Sequence, residues 1–525
     1  MVLIDERTAS DQDAHATRRQ RRTAFDAMLR TAFSLYANAD FWLYPTADDG
    51  RGKWLSASAP LSTDVRRLQA EHSLHEILRT PNVIVFVVAA SEGMGALLAG
   101  VPVHIFGSPY YSGWGLTQDH DSNLSTSRIQ SLETLFEAVF LKTAIYRDPV
   151  TNTPGSLIAA LDFVDIQHAV ARRYADLQSV AGVAFQWWKR PFATPYLLSG
   201  GGRLRWVRGA PDVQTRECAA IWGGRSAAGL QPGVAHFRIE DGFLHSTGLG
   251  SDMIAPFSQV IDRLGIYFDS SRPNELTEIL NNANFEAAEL RRAAALRKMI
   301  VQYGLTKYNL GRRRPEWAPP SGKRVILVSG QVADDASIRL GTQGIATSEA
   351  LIDTVRTQNP NAFIVYKPHP DVLSGNRLGH IGTASVADIV DRTSDLISLI
   401  EIADEVHTLS SLSGFEALLR GKTVHTYGLP FYAGWGLTHD ALPQRWRKRE
   451  LTIDMLVAGV LIRYPVYWDW SLRRYTSVEA IVHKLAAPAA RPLRTIASRQ
   501  LRFLIKAMRW ARNALLHVVW RMRAA

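Results

Sequence analysis

Apolar residues in this chain fall into short runs of four or five, separated by polar turns, rather than into one long periodic stripe. In the second half, Val325-Ile-Leu-Val-Ser, Ala362-Phe-Ile-Val-Tyr, Thr423-Val-His-Thr and residues 405–409 predict strands. Helices are predicted near 348–357 and 386–402, with another running to Arg420. Continuous apolar strands alternating with helices are the pattern of a parallel sheet buried on both faces. A second set precedes it: Leu204-Arg-Trp-Val, Ala219-Ala-Ile-Trp, Ala235-His-Phe-Arg-Ile and Gly265-Ile-Tyr-Phe-Asp predict strands, with helical stretches between. The Pro- and Gly-rich segment 311–322 predicts the hinge between the two sets. Near the start, residues 83–106 are apolar enough to raise a membrane span, but Glu92, three glycines, Pro102 and His104 interrupt them. Strand, turn, helix and strand fit that stretch better.

A repeat supports this reading. Gly100-Val-Pro-Val-His-Ile-Phe-Gly-Ser-Pro-Tyr-Tyr-Ser-Gly-Trp-Gly-Leu-Thr returns 321 positions later as Gly421-Lys-Thr-Val-His-Thr-Tyr-Gly-Leu-Pro-Phe-Tyr-Ala-Gly-Trp-Gly-Leu-Thr, with 11 of 18 residues identical. A period this long repeats a domain, not a solenoid turn. The fold class expected is α/β: two Rossmann-like lobes around a cleft, the GT-B layout, preceded by a degenerate copy of the C-terminal lobe. That first copy is expected to begin near Leu29, the equivalent of Leu351. The domains expected are 1–155, 156–322 and 323–485, then a basic amphipathic tail at 486–525.

Length and composition leave this picture standing. The 525 residues, 46% apolar and 21% charged, suit two to four globular domains and exclude disorder, collagen and coiled coil as whole-chain descriptions. The single cysteine, Cys218, excludes an internal disulfide or a cysteine metal cage. The first residues lack the order of a secretory signal, so a cytoplasmic protein is expected. The net charge of +11 is uneven: residues 491–525 carry nine Arg and Lys and no acid, leaving about +2 over the remainder. The excess is therefore a tail and gives no ground for a nucleic-acid partner. Leu501, Ile505, Met508, Leu515, Val519 and Trp520 lie between those cations, a pattern that fits a basic helix on an anionic membrane or a solvated terminal strap.

Three clusters carry candidate chemistry. Arg238-Ile-Glu-Asp-Gly-Phe places Glu240 and Asp241 at a strand's end, where a carboxylate can serve as nucleophile or base, although Asp-Gly also suits a plain turn. In Tyr366-Lys-Pro-His-Pro-Asp, two prolines fix the backbone around His369, so that Lys367 and His369 present donors at a strand edge. Ser410-Ser-Leu-Ser-Gly-Phe-Glu leads into a helix whose free N–H groups suit an anion, and Ser413 with Glu416 also fits a capping box. The repeated Gly-Trp-Gly-Leu-Thr reads as packing, with Trp435 as a plug. Asp11/Asp13 and Asp119/Asp121 have DxD spacing but no supporting context, and no metal is expected.

In this order the clusters resemble the capsular polysaccharide biosynthesis proteins of the KpsC type, retaining β-Kdo transferases. The matching stretches are Glu240-Asp-Gly-Phe-Leu-His-Ser-Thr-Gly-Leu-Gly-Ser-Asp, Gly330-Gln-Val-Ala-Asp-Asp-Ala-Ser, Lys367-Pro-His-Pro-Asp and Gly428-Leu-Pro-Phe-Tyr-Ala-Gly-Trp-Gly-Leu-Thr. The acidic pair and the His-Pro motif are also similar to the bacterial sialyltransferases, which use CMP-sugars. The resemblance implies a CMP-Kdo donor, transfer with retention to a lipid-linked saccharide, and no cofactor or metal. It implies Asp241 as the catalytic carboxylate with Glu240 in support. On the donor side it implies Lys367, His369 and Pro370, then Ser410, Ser411, Ser413 and Glu416, with Gly330 and Gln331. Sugar nucleotide, acceptor, the cytoplasmic face of the inner membrane and a capsule assembly or export complex are the expected partners. In the first copy, Pro45-Thr-Ala-Asp-Asp and Ala90-Ser-Glu-Gly-Met-Gly replace the phosphate-site motifs, and Glu92 brings a negative charge there, so residues 1–155 are expected to be non-catalytic. A non-catalytic capsule-assembly component, or an epimerase or hydrolase of the same fold, are the competing readings.

Overall fold

The computed structural model describes residues 1–10, 16–59, 65–68, 72–120, 130–332, 334–373, 386–493 and 499–524. The chain divides into two compact units, 1–146 and 147–525, nine residues before the boundary expected from the sequence at 155.

In the first unit a six-stranded sheet runs in the order Val65–Arg67, Phe41–Pro45, Val2–Asp5, Val85–Val87, Val103–Ile105, Gln118–Asp119, and all its pairs are parallel. In the second unit a sheet of the same size runs Ile389–Val390, Phe363–Lys367, Val325–Ser329, Glu405–Thr408, Thr423–Thr426, His439–Asp440, again all parallel. The two orders match strand for strand. Val2–Asp5 takes the place of Val325–Ser329, so the first copy begins at its first strand rather than near Leu29. The apolar stretch before Phe106 folds as Val85–Val87, helix Glu92–Leu98 and Val103–Ile105. Among the described residues, no helix is long and apolar enough to cross a membrane.

The second unit holds one more sheet, of seven strands. Arg203–Val207, Ser179–Val183, Cys218–Trp222 and His236–Asp241 are parallel, and Ser258–Asp262 joins antiparallel to His236–Asp241. Val466–Asp469 and Arg474–Thr476 then extend the same sheet, so the end of the segment expected as the last lobe returns to the middle one. The strand expected at 265–269 is instead a loop. Asp262 Oδ1 accepts the N–H groups of Leu264 and Gly265 and turns the chain. The true strand, Ser258–Asp262, is buried throughout, and its Ser, Gln and Asp hid it from hydropathy. Likewise 386–402 is a short strand at Ile389–Val390 and a helix only from Leu396, capped by Asp395.

The repeated Gly-Trp-Gly-Leu-Thr loop is held the same way in both units. Asp440 accepts from Gly434 N at 2.6 Å and from the Thr426 and Thr438 hydroxyls at 2.7 Å each. Asp119 accepts from Gly113 N and Thr117 in the first unit, so this member of the DxD pair is a loop brace, while Asp121, Asp11 and Asp13 lie outside the described residues. Gly434 and Gly436 sit at φ 77° and 79°, where a side chain is strained. Trp435 is fully buried in the largest core and donates to Phe431 O, whereas Trp114 is half-buried. Trp435→Ala is therefore expected to cost about 3–5 kcal/mol in urea unfolding, and Trp114→Ala clearly less.

Candidate active site

The strand His236–Asp241 brings the two acids to the wall of a cavity of about 1100 Å³ within the second unit. Strand alternation turns Glu240 and Asp241 to opposite faces. Glu240 lies against Gly223, which has φ 54° and whose missing Cβ would fall 2.5 Å from Glu240 Oε2. Only glycine leaves room there for the carboxyl, which accepts the Asp241 N–H at 2.9 Å. Asp241 Oδ2 stands 3.1 Å from His245 Nε2, and its Oδ1 accepts from Gln259 Nε2 at 3.3 Å. His245 is buried, and its Nδ1 meets the Ser246 hydroxyl, which donates onward to Gly248 O. Gln259 is fully buried, and its Oε1 has no hydrogen-bond partner among the described residues.

Two cations complete the pocket. Lys189 Nζ sits 3.4 Å over the Trp222 ring, and burial lowers its pKa against the pull of Asp241 and Glu240. Burial also works against charge on Lys307, but Tyr308, Tyr267 and the two carboxylates hold its pKa above the lysine range. The acids separate as a result. Burial, then the charge of Asp241, pushes Glu240 up, toward its neutral form. Burial opposes ionisation of Asp241 too, but His245, Lys189 and Lys307 outweigh it and hold its carboxyl well below the usual range.

The other wall carries the second set of motifs. His369 Nδ1 accepts the Asp371 N–H, Pro370 opens the short helix Pro370–Leu373, and Asp371 accepts from Ser251 of the middle sheet's loops at 2.6 Å. Lys367 lines the cavity, but its ammonium is bonded to Ser394 O at 2.6 Å and lies 3.8 Å from Asp391, so it braces the 391–395 loop. The Gly330 turn presses on strand Phe363–Lys367: an added Cβ would meet the Tyr366 hydroxyl at 2.6 Å. Gln331 clasps Ser410 through its N–H and hydroxyl. The helix Leu412–Leu418 is capped by Ser411, not Ser413; Ser413 is buried and donates to Ser329. The capping box expected of Ser413 and Glu416 does not form. Glu416 instead accepts the Lys307 N–H at 2.9 Å, and burial raises its pKa to about 7.

All eleven residues singled out from the sequence thus gather in or beside one cavity, apart from the redirected ammonium of Lys367. Lys189, His245, Gln259 and Lys307 were missed. His245 lay inside a recognised stretch, four positions after Asp241, but Lys189 and Lys307 come from distant segments with no local signature.

A family description, capsule polysaccharide biosynthesis protein, matches residues 5–146, 217–315 and 293–467, more than half of the chain. The chain belongs to the capsule polysaccharide biosynthesis protein family. Among curated members and relatives, the capsule polysaccharide modification protein LipA of Neisseria meningitidis serogroup B is 39% identical over 465 residues, which cover 85% of this chain and 66% of LipA. The lipopolysaccharide-processing protein LpsZ of Rhizobium meliloti is 41% identical over 263 residues, 49% of this chain and 60% of LpsZ. The chain therefore spans just under two thirds of the length of these relatives. Two solved structures from Thermosulfurimonas dismutans are similar to this family member. KpsC, beta Kdo 2,7 transferase, is 33% identical with a TM-score of 0.50, covering 59% of this chain and 99% of that one. KpsC, beta Kdo 2,4 transferase, is 28% identical with a TM-score of 0.53, covering 59% and 98%.

Glu416 makes a checkable electrostatic statement. Its carboxyl keeps a proton up to about pH 7 in the folded chain but only to about 4.5 when unfolded. Between those values the folded state binds more protons, so its contribution to stability falls as pH rises. Glu416→Gln is expected to flatten the wild-type loss by roughly 1–3 kcal/mol between pH 4.5 and 7.5 in urea titrations.

Proposed function

We propose that residues 147–525 form a GT-B glycosyltransferase that moves Kdo from CMP-Kdo to a lipid-linked saccharide with retention, in capsule polysaccharide biosynthesis. The observation that carries this reading is Asp241, held by His245 and Gln259 beside Glu240, whose carboxyl burial pushes up to about 7, in one cavity with the Pro-His-Pro loop and the Ser410–Ser413 segment. The similarity of this family to solved β-Kdo transferases supports the sugar. In the proposed reaction the bond between the anomeric carbon and the CMP phosphate breaks, its electrons leave with CMP, and a carboxylate oxygen of Asp241 takes the carbon. A carboxylate can capture an oxocarbenium-like centre in this way. The acceptor hydroxyl then displaces Asp241, releasing its carboxylate and a proton, and two displacements return the original configuration. His369 and the N-terminal end of helix Leu412–Leu418 face the single phosphate of CMP, so the leaving group needs no metal in this scheme. Glu240 accepts the Asp241 N–H and so orients its neighbour, and its raised pKa lessens the negative charge it adds beside Asp241.

The first unit fits a non-catalytic role. Its Glu92 carboxylate accepts from the Thr46 hydroxyl and, at 2.6 Å, from Ala47 N, the positions that match Pro368 and His369. A built-in carboxylate thus occupies the place proposed for the donor phosphate in the second unit.

The tail supports a membrane-surface location. Helix Arg499–Ala524 packs on residues 187–197 through polar residues: Asn513 and His517 are fully buried, and Arg509 donates to Asp252 O. Its apolar residues face outward, with Phe503 72%, Met508 66%, Leu515 62% and Met522 67% exposed, while Ile505, Val519 and Trp520 are half-buried. Polar-inward packing of an apolar, cationic helix fits an anionic bilayer surface better than a solvated strap.

Asp241→Ala is expected to lower Kdo transfer at least about 10³-fold, and His369→Ala about 10²-fold, in an assay of product from CMP-Kdo and a Kdo-terminated lipid. Normal transfer by Asp241→Ala would overturn the assignment. Met508→Glu with Leu515→Glu is expected to remove sedimentation with anionic vesicles while leaving the far-UV spectrum unchanged; undiminished vesicle binding would refute the surface role.

A further inference from the structure

Outside the cleft, three side chains with metal-binding atoms converge on two neighbouring strands of the last sheet. Glu405 opens the strand whose other end runs into Ser410, so this cluster belongs to a different part of the sheet from the proposed donor site. His407 and His425 are direct cross-strand partners in the parallel pair Glu405–Thr408 and Thr423–Thr426. Their rings stack at 4.3 Å, and both Nε2 atoms approach the same oxygen: Glu405 Oε2 lies 3.1 Å from His407 Nε2 and 3.5 Å from His425 Nε2. All three atoms lie within 4.8 Å of one another.

The Tyr427 hydroxyl lies 3.1 Å from His407 Nδ1 and donates to Gln358 Oε1 at 2.8 Å, so the far side of the His407 ring is held. His407 Nε2 and His425 Nε2 both face Glu405 Oε2, and one cation there would draw on both imidazoles and on the charge of the carboxylate. The Tyr427–Gln358 chain is moreover the kind of outer partner that fixes the tautomer and direction of a metal-bound histidine. Access is open as well: His407 is buried, but the His425 side chain is 29% exposed, and the exposed ring of His439 stacks on it at 4.7 Å. Glu405 also holds Arg324 at 3.0 Å, but through Oε1, which leaves Oε2 to the cluster.

The geometry points to a binding site for one divalent cation of the zinc class, held by Glu405 Oε2, His407 Nε2 and His425 Nε2, with a fourth position toward solvent. Two imidazoles and a carboxylate are a donor set that zinc accepts. Such an ion clips two neighbouring parallel strands, the fourth and fifth of the six, and acts on stability, independently of the transfer reaction proposed above. The first unit serves as an internal contrast. There Ile84 and Phe86 stand at the positions of Glu405 and His407, and Phe86 simply stacks on His104, so the ring ladder persists without the donors.

The test uses the full chain after treatment with a chelator. Calorimetric titration with Zn²⁺ is expected to reveal one site, and Co²⁺ the visible bands of a low-coordinate nitrogen–oxygen site. Glu405→Gln and His425→Ala are each expected to weaken binding at least about tenfold, because an outright ligand is lost. His407→Phe, which copies the first unit's residue and packing, is expected to do the same while remaining folded. Zn²⁺ should raise the melting temperature of the wild type and not of these variants. No Zn²⁺ binding by the wild type at concentrations up to about 100 μM, or binding left unchanged by all three substitutions, would overturn the site and leave Glu405 as a hydrogen-bonding partner only.

Discussion

Two carboxylates on successive residues, brought into one partly dry cleft, pose the charge problem around which the second unit is built. Neither can be moved apart from the other along the strand, so the surrounding chain must decide which of them is ionised. It does so asymmetrically. His245, Lys189 and Lys307 favour the charge on Asp241, while Glu240 turns against the bare backbone of Gly223 and tends to neutrality. The three partners come from separate segments: the turn before helix Arg190–Leu197, the loop after the acidic strand and the loop that follows helix Ala287–Gln302. Balancing the pair therefore also positions those segments. Lys307 extends the constraint into the last sheet's domain, because its backbone N–H is taken by Glu416.

The return of Val466–Asp469 and Arg474–Thr476 to the middle sheet gives this electrostatic arrangement a mechanical frame. The chain crosses between the two sheets of the second unit twice, once through 311–322 and once before Val466. Asp371 and Ser251 then meet across the cavity. The first unit keeps the sheet, the braced Gly-Trp-Gly loop and the helix at Glu92, and there the Glu92 carboxylate of the chain itself accepts from the Thr46 hydroxyl and the Ala47 N–H.

Much of this was legible in the sequence. The repeat revealed the shared lobe, the apolar runs located Val325–Ser329 and Thr423–Thr426 to the residue, and the three motif clusters do meet in one cavity. What was not legible depends on tertiary contact. Ser258–Asp262 is a central buried strand with three polar residues, each bonded to at least one partner distant in sequence, so hydropathy could not reveal it. Lys367 sits where the motif places it, but the loop at Asp391 captures its ammonium. Lys189 and Lys307 carry no local pattern, and only the folded chain brings them to the acids. The inward polar face of the tail was also hidden, since a helical wheel shows two faces and not which of them finds the protein.

The reading turns on whether Asp241 bonds to the sugar. Mixing the purified protein with CMP-Kdo in the absence of acceptor, quenching within seconds and fragmenting the peptides by tandem mass spectrometry addresses this directly. The account predicts one Kdo on the Asp241 side chain, formed together with an equivalent of CMP. Transfer that proceeds with CMP release but leaves Asp241 unmodified, or a sugar found on Glu240 instead, would contradict it.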